Sequence, residues 1–205
     1  ARVLAAADYS RDVIASLGAA GIDVLQFHAE YAPGQFEVAL PTTDLLTAAD
    51  HHVLARLVIA DVSRRQGVRA SFSPAVIAGS VGSGGHLHLS LVGPQGPLFG
   101  GGSQVGGLTD VGASVVAALV AHTPALLAVG CPLAASYDRL RPNRWAGAFQ
   151  MWGIENREAA VRLVPGAGDP ATSNLEVKTP DLAANPYLLV GAVLAVVRDG
   201  LRTHQ

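Results

Sequence analysis

A chain of 205 residues can fill one substantial hydrophobic core or two small ones, and with half its residues apolar but only 5% aromatic that core is built mainly from Ala, Val and Leu. Charged residues are 15% of the chain and the formal net charge is −2 with no basic block, so nothing points to nucleic acid or an anionic membrane surface. Cys131 is the only cysteine, which excludes an internal disulfide and a cysteine-rich metal site and fits a reducing, cytoplasmic setting.

The first predicted element is a helix from Asp8 to Ala20, with Val13, Ile14 and Leu17 at helical spacing and Gly21 as its stop. Ile22 to Glu30 reads as a strand, Pro33-Gly34 as a turn, and Gln35 to Leu40 as the returning strand of a hairpin. Thr43 to Gln66 is a long amphipathic helix closed by Gly67, and Val68 to Phe72 a short strand. His51 and His52 on that helix read as exposed. A glycine-rich lead-in, Gly79 to Gly85, runs into a strand at His86 to Val92, followed by a Gly/Pro loop over 93–106. The apolar region 108–131 is helical. Val111 to Ala135 is long enough for a membrane span, but His122, Pro124 and Pro132 favour two buried helices. After the loop "RPNRWAGA", strands are expected at Phe149–Ile154, Glu158–Val164 and Asn174–Thr179, and Pro186 opens a last helix, where its missing N–H costs nothing. Mixed strands with long helices on one side give an α+β fold.

Strand side chains alternate between faces, so polar residues two apart gather on one face. His28 with Glu30, and Gln35 with Glu37, are such sets on the hairpin. His86, His88 and Ser90 oppose Leu87, Leu89 and Leu91; Asn174, Glu176 and Lys178 oppose Leu175 and Val177. Glu155, Arg157 and Arg162 follow the same pattern nearby. Each strand alone is equally compatible with a solvated face. Together, on one sheet face, carboxylates and imidazoles suit Mg²⁺ or Mn²⁺, and the guanidinium groups suit phosphates.

Five ordered blocks carry a family resemblance: "EYAPGQFEV", "GSGGHLHLSL", "SYDRLRP", "WGIENREAAVRLVP" and "LEVKTPDLAANPYL". They resemble the glutamine synthetase family, in its order and approximate spacing, over nearly the whole chain. The resemblance implies a catalytic-domain fold in which a curved antiparallel sheet carries the site and helices pack on its outer side. By it, Glu30 and Glu37 would bind one divalent ion, and His86 and Glu176 a second on the nucleotide phosphates. His88 and Ser90 would lie along ATP, and Arg157 and Arg162 would neutralise the transferred phosphoryl group. Gly82, Arg139 and Lys178 would hold the amino-acid substrate, Lys178 standing where the family usually has Arg, whose bidentate grip on a carboxylate Lys lacks. The implied reaction is ATP-dependent: a glutamate side-chain carboxylate forms an acyl phosphate, and an amine displaces phosphate to give an amide. Homo-oligomeric rings with shared active sites are implied as well.

Departures from the family sharpen the reading. Trp145 occupies the place where ammonia-using members keep a proton-accepting glutamate; an indole accepts no proton but flanks an alkyl amine or stacks on a cationic one. That favours a γ-glutamyl amide of a primary amine larger than ammonia, with true glutamine synthetase or an inactive structural member as the alternatives. Val81, Asp138 and Glu155 also replace residues usual in the family. The family's upstream Glu-x-Glu strand and small N-terminal β domain have no counterpart, so residues 1–205 are expected to be a single partial catalytic domain, inactive alone.

Overall fold

Residues 6–203 are described by a computed structural model, and they fall into two compact units divided between Phe72 and Ser73. In the first, helix α1 (Ala7–Ala19) turns Val13 and Leu17 inward against Val62 and Ala55 of helix α2 (Leu45–Arg65). A bond of 2.9 Å between the Tyr9 hydroxyl and Ser63 Oγ ties the two helices together. Strands β1 (Gln26–Ala29) and β2 (Phe36–Ala39) form an antiparallel hairpin in which His28 faces Glu37. Its inward residues, Phe27 and Val38, pack on the same helices. The hairpin is shorter than its sequence pattern, because only these four residues per strand keep a full ladder. Asp44 starts α2 by accepting from the Leu46 and Thr47 amides at 3.1 and 3.0 Å, satisfying donors that the first turn leaves open. The strand expected at Val68–Phe72 does not form: no strand among the described residues pairs with it, and Phe72 instead lies under the Arg56 guanidinium.

The second unit is a four-stranded sheet in the order β3 (Leu87–Leu89), β8 (Asn174–Val177), β7 (Ala159–Val164), β6 (Phe149–Ile154). A small hairpin, β4 (Val92–Gly93) with β5 (Gly96–Pro97), stands apart inside what reads as plain loop. The sheet is antiparallel across β3, β8 and β7, but β7 runs parallel to β6. Only residues 155–158 link the two strands, and Glu155 among them has φ 51°.

Leu175, Val177, Val161 and Leu163 fill the covered face of the sheet. Against them pack helix α3 (Asp110–Ala121), helix α4 (Thr123–Gly130) and helix α6 (Pro186–Thr203), through Val115, Val116, Leu119, Leu126, Leu189, Val193 and Val197. Asn185 caps α6 by accepting from the Tyr187 and Leu188 amides. A short helix α5 (Ala134–Arg139) precedes the loop that leads to β6. No single helix among the described residues is long and apolar enough to cross a membrane; α3 and α4 together reach the length but meet at 64°, and their apolar residues face the core.

Candidate functional site

The polar face of the sheet is built by register. His88 on β3 stands beside Glu176 on β8, which stands beside Arg162 on β7, so three strands deliver an imidazole, a carboxylate and a guanidinium in one row. Glu176 is only 3% exposed. Its Oε1 accepts from His86 Nδ1 at 2.8 Å and Lys178 Nζ at 3.2 Å, and its Oε2 from Arg162 Nη1 at 3.0 Å. His88 Nε2 lies 3.8 Å away and its Nδ1 meets Asn174 Oδ1 at 2.8 Å. Burial pushes the Glu176 pKa up, but the His86 hydrogen bond and the positive charge at Lys178 outweigh it, so the carboxyl is held well below the usual range. Burial takes His86 down to about 4, with Lys178 adding to the effect, so near pH 7 it is a neutral ring. Its Nδ1 faces Glu176, and its Nε2 lies against Gly84.

Arg162 is gripped from both sides. Its Nε and Nη2 donate to Glu155 Oε2 at 3.1 and 2.7 Å while Nη1 holds Glu176. Lys178, 3% exposed, closes the row. Behind it, Arg139 is 2% exposed and donates to the carbonyls of Lys178 and Thr179, both at 2.7 Å. Gly82 lies flat on the Arg139 side chain; a Cβ there would be 2.6 Å from Arg139 Cγ. Arg139 and Gly82 thus brace the end of β8. Cys131 is buried beside them, its thiol donating to the Thr179 carbonyl, and burial raises its pKa to about 11, so it is not a nucleophile.

In the first unit, the hairpin register puts His28 Nε2 2.9 Å from Glu30 Oε1 and 3.8 Å from Glu37 Oε1. Ligand atoms of these three residues lie within 4.8 Å of one another. They are close enough together to share one divalent ion, and an imidazole with two carboxylates is a donor set for Mg²⁺ or Mn²⁺ completed by water. His28 Nδ1 is buried without a hydrogen-bond partner.

The expected metal residues therefore form two clusters: Glu30 and Glu37 with His28 in one unit, His86 and Glu176 in the other. The expectation of one shared sheet face is corrected here, because the hairpin is a sheet of its own. Ser90 lies just past β3 and donates to the Ser173 carbonyl. Arg157 is exposed on the link between β6 and β7 and forms no ion pair among the described residues. Trp145, 37% exposed, sits in the 141–147 loop, whose last residue, Gly147, has φ 73° and would place a Cβ 2.8 Å from Lys178 Cβ.

Sequence reasoning gave no site role to His28 or to Glu158, whose carboxylate accepts from the Asn143 and Trp145 amides. The His28/Glu30 spacing was the available signal for the first; for the second there was none, since a loop-to-strand bond leaves no periodic trace. Nor are His51 and His52 exposed as expected; both are half-buried.

The sequence profile described as "Glutamine synthetase, catalytic domain" matches residues 1–205. A gamma-glutamylpolyamine synthetase of Streptomyces coelicolor is 49% identical over 203 residues, 98% of this chain and 44% of the relative. A glutamine synthetase of Halobacterium salinarum is 34% identical over 97% of this chain and 43% of its own length. The chain thus spans less than half the length of these curated relatives. Among solved structures, a crystal structure of a novel glutamine synthase homolog superposes with a TM-score of 0.85 at 36% identity, covering 98% of this chain and 48% of its own. A Plasmodium falciparum glutamine synthetase superposes at 0.88 with 24% identity, over 96% of this chain and 38% of its own, which shows likeness of fold.

Proposed function

Because this chain belongs to the glutamine synthetase catalytic-domain family, we propose that it carries the active site of an ATP-dependent carboxylate–amine ligase, one that joins glutamate to a primary amine larger than ammonia. The observation that supports it most is the convergence of His86, Arg162 and Lys178 on one buried carboxylate, Glu176. A packed core has no use for four such groups together, since each costs desolvation.

His86 and Glu176 would hold a cation on the nucleotide side, and Glu30, Glu37 and His28 one on the amino-acid side. These cations would offset the negative charge shared by carboxylate, triphosphate and leaving phosphate. Arg162, fixed between Glu155 and Glu176, presents its charge with its geometry already paid for by those two acids, and Arg157 is free to meet a phosphate. His88 and Ser90 border the nucleotide. Lys178, which stands where the family binds the substrate carboxylate, would have to exchange its buried bond to Glu176 for that carboxylate, with Arg139 and Gly82 fixing the strand end that carries it. The acyl phosphate so formed would react with the amine beside Trp145, whose ring packs along an alkyl chain or on an ammonium face. The polyamine named for the Streptomyces relative agrees with that reading. Oligomeric rings with shared sites belong to the same proposal.

Phosphate release from the full-length protein, with glutamate, ATP and either ammonium, ethanolamine, a monoamine or polyamines, is the test. Amine-dependent release well above that with ammonium is expected. Turnover with ammonium alone would overturn the reading of Trp145, and no release with any amine would overturn the ligase itself.

A further inference from the structure

The 141–147 loop holds two non-glycine residues in the left-handed region, Asn143 at φ 61° and Trp145 at φ 55°. Asn tolerates this conformation; a bulky aromatic does so only when its surroundings dictate it. One side chain meets both. Glu158 Oε2 accepts from the Asn143 amide at 3.1 Å and Oε1 from the Trp145 amide at 2.8 Å, two charge-assisted bonds that require this backbone path. Glu158 is itself anchored: its amide donates to Asn156 Oδ1 at 2.9 Å, and it directly precedes β7. Two residues past Trp145, Gly147 is pressed against Lys178 Cβ and the Ala159 carbonyl. The loop is therefore pinned to the sheet at both ends of the segment that carries the indole.

We infer that Glu158 is a positioning residue: its carboxylate sets the loop conformation and, through it, the place of Trp145 beside the amine. This rests on the reading of Trp145 as a wall of the amine site. Among the described residues the Glu158 carboxylate meets the backbone amides of Asn143 and Trp145, so it acts through the loop and not on the reactants.

The test uses the full-length protein with putrescine as the amine, and the variants Glu158→Ala, Trp145→Ala and their combination. Glu158→Ala is expected to raise KM for putrescine about tenfold, with KM for ATP and glutamate unchanged, and the double variant to be no worse than Trp145→Ala alone. Adding Asn143→Gly to Glu158→Ala should recover part of the loss, because glycine adopts φ near 60° without strain. Additive effects of the two single variants, or an unaltered putrescine KM in Glu158→Ala when Trp145→Ala shifts it, overturn the inference and leave the amine reading standing. If Trp145→Ala leaves that KM untouched, the amine reading fails instead. The emission of Trp145, taken as the difference from Trp145→Phe, then decides Glu158 separately: a red shift in Glu158→Ala upholds the clamp, and an unchanged spectrum overturns it.

Discussion

Glu176 keeps its charge inside the protein because three donors surround it, and the same arrangement makes it the residue most sensitive to change. Glu176→Ala would leave Lys178 buried with no counter-charge, a loss of about 3–5 kcal/mol for a broken buried pair, read from denaturant unfolding. In calorimetry the variant should weaken Mg·ATP binding by about tenfold or more and glutamate binding much less, as expected for a group that holds a nucleotide-side cation. Equal loss of both ligands would contradict that role. Lys178 illustrates what residue identity alone conveys: its position marked it for the substrate carboxylate, but its burial and its bond to Glu176 follow from β8 ending against Arg139, which no local pattern encodes.

The elements that position these residues carry predictions of their own. On α2, His52 is half-buried, with Nε2 lacking a partner, and burial, aided by the Arg56 charge one turn away, lowers its pKa from 6.5. The folded state then resists a proton that the unfolded chain accepts, so the stabilising difference is present above about pH 6.5 and lost as pH falls through the folded pKa. Thermal midpoints measured from pH 7.5 downward should fall for the parent and fall less for His52→Leu; parallel curves would show that His52 does not titrate this way. In the 141–147 loop, Gly147→Ala adds a Cβ against Lys178 and an alanine at φ 73°, and should cost about 1–3 kcal/mol in chemical denaturation. Helices α1 and α2 and the start of α6 were read from the sequence to within a residue or two, because Val13 and Leu17, the Asp44 cap and Pro186 are strong local signals, whereas the six-residue α5 was not read. The parallel pairing of β6 with β7 was not legible: the four-residue link between them includes Glu155 at φ 51°, a conformation its residue type does not signal.

At the scale of the molecule, two compact units each bring one cluster of ligand-type side chains to the surface of a sheet. The clusters were legible because strand alternation makes His28/Glu30, His86/His88 and Glu176/Lys178 share faces whatever the fold around them. How the strands pair was not, since pairing across more than eighty residues, as between His88 and Asn174, is decided by packing of the apolar faces. Both clusters are proposed to hold divalent ions in service of amide formation. Crystals of the full-length protein grown with Mn²⁺ and an ATP analogue, measured for Mn anomalous scattering, test it most directly. One peak among His28, Glu30 and Glu37 and another at His86 and Glu176 are expected; anomalous density at neither cluster would contradict the account.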